Sequence, residues 1–273
     1  MGKPLQESSE SNLNSLPEYK TIALSLNKGV LTIAFNRPDR MNAMNEDMFS
    51  DLSYAVDTAL NNHDVRVVVF TGSADVFSSG GDLISMTDYH SVYEREDLYR
   101  IVKNAQEIFD HIEMLPKPTI AAINGHAVGA GLQLAVACDF RIAVKTAKLG
   151  LKDVKIGIIP GLGGTKRLPD LIGIARAKEM IMLGDEVAAY KAFEMGLVNL
   201  VVAKDDLKHA VQNMAEKLCA NAPLALSAAK DLINAKSSLD QVAHTQANLL
   251  KTVDAGEGIR AFLEKRIPCF KGI

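Results

Sequence analysis

Apolar residues cluster in runs of strand length through the first half of the chain and recur at helical spacing through its last quarter. Residues 21–26 and 30–35 are β-type runs joined by Asn27-Lys28-Gly29, which predicts a hairpin. Asn36-Arg37-Pro38 stops the second run. Residues 45–61 then place Met48, Leu52, Val56 and Leu60 on one helical face. The run at 65–71 (VRVVVFT) is apolar almost throughout, as expected of a strand covered on both sides. A long amphipathic helix is predicted over about 97–114, a buried strand at 119–123, a buried helix at 131–137 and a further strand at 140–143.

A cycle of strand, Gly-rich turn, helix and strand thus recurs, with no polar linker before about residue 203. The pattern predicts an α/β core over 18–203 and a helical segment over 204–273, with helices from about 205 to 266. Residues 1–17 are polar and rich in Ser, Asn and Glu. They have neither the apolar stretch of a signal peptide nor the Arg-rich pattern of a transit peptide, and are predicted to be a disordered lead-in.

Composition narrows the function classes. A net charge of −3 gives no support to nucleic-acid binding, which usually needs a basic face. No apolar run reaches the roughly 18 residues of a membrane span. Cys138, Cys219 and Cys269 are odd in number and widely spaced, matching neither a metal site nor a disulfide framework; a reducing, cytoplasmic setting is the expectation. No dinucleotide or P-loop fingerprint occurs, because Gly161-Leu162-Gly163-Gly164 follows Pro160 and lacks that spacing. No resident cofactor and no metal are expected.

Four segments, in order, carry a more specific signal. They are Asn36-Arg37-Pro38 with Met41-Asn42-Ala43-Met44; Phe77-Ser78-Ser79-Gly80-Gly81-Asp82-Leu83; PTIAAINGHAVGAGLQLAVACD from Pro118 to Asp139; and Gly157-Ile158-Ile159-Pro160-Gly161-Leu162-Gly163-Gly164-Thr165, followed by Arg167-Leu168. Together they resemble the enoyl-CoA hydratase/isomerase (crotonase) superfamily over about 19–266. The resemblance implies a spiral α/β core of repeated ββα units. Its C-terminal helices would close over coenzyme A and build a homotrimer or hexamer.

In that family one backbone N–H after each of two Gly-rich turns points at the thioester oxygen. By the resemblance these are the amides of Gly81 and Ala130. Glycine lets backbone approach a ligand closely, and each preorganised donor of this kind contributes about 3–4 kcal/mol to an oxyanion. Coenzyme A, part of the substrate, would lie along Arg37, Arg40, Ser79 and Gly80, with Phe262 and Lys265 of Phe262-Leu263-Glu264-Lys265-Arg266 reaching the CoA of a neighbouring subunit.

The departure lies in the acids. Family hydratases hold one water between two glutamates; the corresponding positions here are Gln133 and Asp153. An amide is no base near neutral pH, and aspartate is one methylene shorter. Efficient hydration is therefore not expected. One carboxylate suffices to move a double bond between the 3,4 and 2,3 positions, so an isomerase using Asp153 as base is the leading expectation. A weak or atypical hydratase and a non-catalytic acyl-CoA-binding protein remain the alternatives. Residues 86–97, with Tyr89, His90 and Tyr93, are expected to line the acyl site or form a mobile loop. Asp82 is expected to brace its loop, Asp139 to be structural, and His126 to be a weak acid/base candidate.

Overall fold

The computed structural model describes residues 16–87 and 89–273, so most of the expected lead-in, residues 1–15, lies outside them. The chain opens with a hairpin, β1 (Ile22–Asn27) antiparallel to β2 (Val30–Phe35), in register from Ile22 opposite Phe35 to Asn27 opposite Val30. Lys28 and Gly29 both have left-handed φ (48° and 79°), the two-residue turn whose twist matches the flanking strands. Helix α1 (Glu46–Asn61) follows, and the Asn45 side chain caps it by accepting from the Met48 amide at 3.1 Å.

A unit then repeats: a long strand, a three-residue strand, and a helical return. The first has β3 (Val67–Gly72), β4 (Val76–Ser78), α2 (Tyr89–Val92) and α3 (Arg95–Met114). The second has β5 (Thr119–Ile123), β6 (His126–Val128) and α4 (Ala130–Ala137). The third has β7 (Phe140–Val144), β8 (Lys148–Gly150), α5 (Gly164–Ile172) and α6 (Ile174–Leu183). β9 (Glu186–Ala188), α7 (Ala189–Glu194) and β10 (Leu200–Val202) close the core.

The long strands and the three-residue β10 form one six-stranded sheet, β1-β2-β3-β5-β7-β10, parallel beyond the hairpin. The short strands form a second sheet, β4-β6-β8-β9. This is the expected spiral of ββα units. β3 and β5 read as apolar runs because β3 is buried from Val67 to Phe70 and β5 along its whole length, and Phe35, Phe70, Phe77 and Phe109 fill the interior.

Two polar positions fix loops around this core. Asn42 is buried with left-handed backbone; its side chain accepts from the Arg37 amide and donates to the carbonyls of Ser73 and Val76. Asp139 accepts from the Thr119 amide at 2.7 Å and from Lys230 at 2.9 Å, a structural role as expected. Cys138 beside it is buried, and desolvation pushes its thiol up to about 12.

The C-terminal segment is helical as expected: α8 (Leu207–Cys219), α9 (Pro223–Asn234), α10 (Leu239–Leu249) and α11 (Val253–Glu264). α8 buries Leu207, Val211 and Ala215 against the sheet. α9 and α10 bury no residue within the chain, and Leu239 and Phe262 are more than four-fifths exposed (87% and 83%).

Candidate active site

The site is built where the short-strand sheet meets the helices. β4 and β6 are parallel neighbours, and each runs directly into a Gly-containing turn. Gly80 has φ +104°, and a Cβ there would stand 2.9 Å from the Val128 carbonyl oxygen, so glycine lets the two turns touch. Met44 forms a single parallel bridge with Gly81: its amide donates to the Gly80 carbonyl (2.7 Å), and its carbonyl accepts from the Asp82 amide (2.9 Å). That pattern turns the N–H of Gly81 away from Met44. Ala130 is the first residue of α4, where an amide has no partner within its helix and stands at the positive end of the helix dipole.

Both residues line one cavity of about 390 Å³, within the range of small-ligand sites. Its walls are largely apolar, with Phe49, Met86, Ile101, Val102, Ala105 and Leu162 among them. Tyr89 also lines it, so the 86–97 segment contributes to the wall. Burial, the nearby Glu46 carboxylate and Tyr93 raise the Tyr89 hydroxyl above its ordinary value.

Asp153 begins a 3₁₀ turn (Asp153–Ile156) after β8 and lines the same cavity. Its Oδ2 lies about 4.0 Å from where a side chain at Gly129 would begin, hence beside the turn that carries the Ala130 amide. Oδ2 is buried and has no hydrogen-bond partner among the described residues. Oδ1 accepts a long bond, 3.4 Å, from Gln133 Nε2. Burial raises the Asp153 carboxyl above the usual carboxylate value, opposed by its own backbone amide.

Gln133 is buried, and its carbonyl accepts from the amides of Leu162 (2.7 Å) and Gly164 (3.1 Å). The same loop is gripped from outside by Gln106, donating to the Gly161 carbonyl at 2.7 Å, and by Arg167, donating to the Leu162 carbonyl at 3.1 Å. Arg167 is in turn paired with Asp110 and Glu113 of α3. Sequence reading missed this bracing because, apart from the local bond between Arg167 and Leu162, its members lie 29 to 57 positions apart. The Gly-rich 157–165 segment was the one visible signal.

The structure thus brings together Gly81, Ala130, Ser79, Gly80, Gln133 and Asp153 around one cavity. Arg37 is turned elsewhere. Its guanidinium donates to Asp82 at 2.9 Å and to the Ala43 carbonyl, bracing the loop, and Arg37 does not line the cavity. Asp82 has the loop-bracing position expected of it. Arg40 is half exposed beside Asp39, and neither it nor Phe262 nor Lys265 lines the cavity. His126 accepts from the Lys148 amide through Nδ1 at 3.1 Å, a contact between β6 and β8 rather than a place at the cavity. No helix among the described residues is long and apolar enough to cross a membrane.

Comparison with known proteins agrees with the fold. The enoyl-CoA hydratase/isomerase family model matches residues 25–272. A crotonyl-CoA hydratase of Syntrophomonas wolfei is 36% identical over 255 residues, covering 91% of this chain and 96% of that protein. A 2,3-dehydroadipyl-CoA hydratase of Escherichia coli is 35% identical over 259 residues, covering 92% and 98%. The crystal structure of an enoyl-CoA hydratase from Bacillus anthracis superposes with TM-score 0.87 at 35% identity, over 93% of this chain and 100% of that one. With the match running through both sheets and the C-terminal helices, the chain belongs to the enoyl-CoA hydratase/isomerase family.

Proposed function

We propose that this enzyme shifts a double bond in an enoyl-CoA thioester. The amides of Gly81 and Ala130 hold the thioester oxygen as it gains charge, and Asp153 carries the proton between C2 and C4. One observation carries the reading: Gln133, at the position of the family's first acid, is tied by its carbonyl to two loop amides and by its nitrogen to Asp153. It has no basic atom to offer a water. Asp153, half-buried with its Oδ2 enclosed, is then the one carboxylate lining the cavity that is neither held by a cation nor exposed, since Asp82 is paired with Arg37 and Glu46 is exposed. A carboxyl raised by burial is better matched to proton transfer near neutral pH than an ordinary one.

Weak or atypical hydration is the second reading, favoured by relatives that are themselves named hydratases. A panel of purified 2-enoyl- and 3-enoyl-CoA thioesters, followed by the conjugated thioester absorbance, separates the two. Gain of absorbance from 3-enoyl-CoA is the expected result. Loss from 2-enoyl-CoA alone would favour hydration, and no change with either would favour an acyl-CoA-binding role.

The same proposal places coenzyme A along Ser79 and Gly80. Phe262 and Lys265 would act across a subunit boundary, which fits their absence from this chain's own cavity. The uncovered apolar faces of α9 to α11 support a trimer or a pair of trimers. Three unpaired cysteines suit a cytoplasmic setting.

A further inference from the structure

Gln133 is held at both ends. Two amides, Leu162 at 2.7 Å and Gly164 at 3.1 Å, can only donate, so the atom that they meet is the carbonyl oxygen. That choice turns the NH₂ group to Asp153 Oδ1. The side chain cannot easily swivel: it is 1% exposed, and a Cβ at Gly164 would meet its Cγ at 3.0 Å. Asp153 is left with two unlike oxygens. Oδ1 faces a donor that never accepts; Oδ2 is buried without a partner, beside Gly129.

We propose that Gln133 is a positioning residue that dictates which oxygen of Asp153 carries the transferred proton. Because an amide nitrogen only donates, Oδ1 stays an acceptor in both protonation states, and the proton is confined to Oδ2 on the side of the Ala130 amide. The inference rests on Asp153 being the base. In the first step the C2–H bond breaks, its electron pair enters the enolate, and the proton bonds to Oδ2. In the second the Oδ2–H bond breaks and the proton bonds to C4. The enolate electrons restore the thioester carbonyl and leave the double bond at C2–C3. No atom or electron is gained or lost. A proton kept on the oxygen away from the amide network is returned to the substrate instead of passing into the wall.

The neighbouring charges do not compete for this role. Lys152 is paired with Glu186 and Lys155 with Asp185, each at 2.7 Å; Asp82 is paired with Arg37, and Glu46 is exposed at the cavity.

Gln133→Glu is the discriminating variant. Its carboxylate can still accept from Leu162 and Gly164, so the loop stays anchored, but the atom facing Oδ1 becomes an acceptor. Two carboxylates that close share one proton, which moves between them and away from the substrate. Gln133→Leu removes the anchor as well. The experiment is single turnover of a protiated 3-enoyl-CoA in D₂O, with mass spectrometry of the product and thermal melts of each variant. The wild type should deliver substrate protium to C4. Gln133→Glu should keep its Tm within a few degrees, lose roughly 10-fold or more in turnover, and incorporate mainly deuterium. Gln133→Leu should also lower Tm.

Wild-type turnover and transfer in Gln133→Glu would overturn the proposal, as would Glu and Leu variants with identical losses in Tm and turnover. If the wild type converts no 3-enoyl-CoA, the isomerase reading fails, yet the positioning role is still read from a carboxyl-carbon NMR titration of Asp153 in the unliganded protein. Gln133→Glu should move that titration upward, and an unmoved curve would overturn the inference by itself.

Discussion

Arg37 donates to Asp82 at 2.9 Å and ties the chain leaving β2 to the residue after Gly81. Burial works against the charge on Asp82. The bond from Arg37 and the amides of Ser85 and Ile84 outweigh it, holding the carboxyl below its ordinary 3.8. A depressed folded-state value contributes stability that is present above about 3.8 and lost as pH falls through the folded value. Arg37→Ala should therefore destabilise the fold at pH 7, by up to about 3–5 kcal/mol for a largely buried pair, and so lower Tm. Its deficit relative to wild type should shrink in melts taken below pH 4. A constant deficit across that range would mean that Arg37 acts through packing.

Asp153→Asn should separate stability from activity. Turnover of 3-enoyl-CoA should fall by about 10²–10⁴. The carboxyl is raised by burial, so its ionisation opposes folding; the contribution is favourable below about 3.8 and is lost as pH rises through the raised value. The asparagine variant should hence melt no lower than wild type at pH 7, with any advantage closing toward pH 4. Full activity in Asp153→Asn would place the base elsewhere.

Gly80 and Gly81 are adjacent but should respond differently to alanine. At Gly80 the backbone is left-handed and a Cβ would press on the Val128 carbonyl, so Gly80→Ala should destabilise by roughly 1–3 kcal/mol from backbone strain alone. At Gly81 a Cβ meets only the Met86 sulfur at an ordinary 3.5 Å, and the N–H is retained. Gly81→Ala should melt near wild type. Denaturant curves on the two proteins test the contrast, and equal losses would refute it.

Acyl-CoA should raise Tm by mass action on the native state. Gly81→Pro removes the amide and should abolish that shift while leaving a folded protein. An undiminished shift with acetoacetyl-CoA would argue against Gly81 as a donor to the thioester oxygen.

In light scattering at micromolar concentration, the 29.5 kDa chain should have three or six times its monomer mass. A monomer would leave Leu239 and Phe262 as unexplained exposed apolar surface.

The long strands, α1, α3 and α4 were legible because each carries its own period or unbroken apolar run, and boundaries such as 97–114 against Arg95–Met114 differ by about a turn or less. The second sheet was not, since a three-residue strand such as Val76–Ser78 has no period to read. Among site residues, Asp153 and the two turns stood out through local motif. The fate of Gln133 and Arg37 did not. Each is decided by partners far along the chain: Leu162 and Gly164 for one, Asp82 for the other. Residue type says what a side chain can bond, and only the packed loops say what it does bond.

Because β4 and β6 are adjacent strands of one sheet, the gap between the two turns that follow them is inherited from strand pitch, about 4.8 Å. No side chain sets that width, so no side-chain substitution retunes it gradually; a change must reach the backbone, as at Gly80. If the two turns hold the thioester oxygen as proposed, variation among acyl groups falls to apolar lining residues such as Phe49 and Val102. On that proposal the anchor belongs to the ladder and the choice of acyl group to the lining.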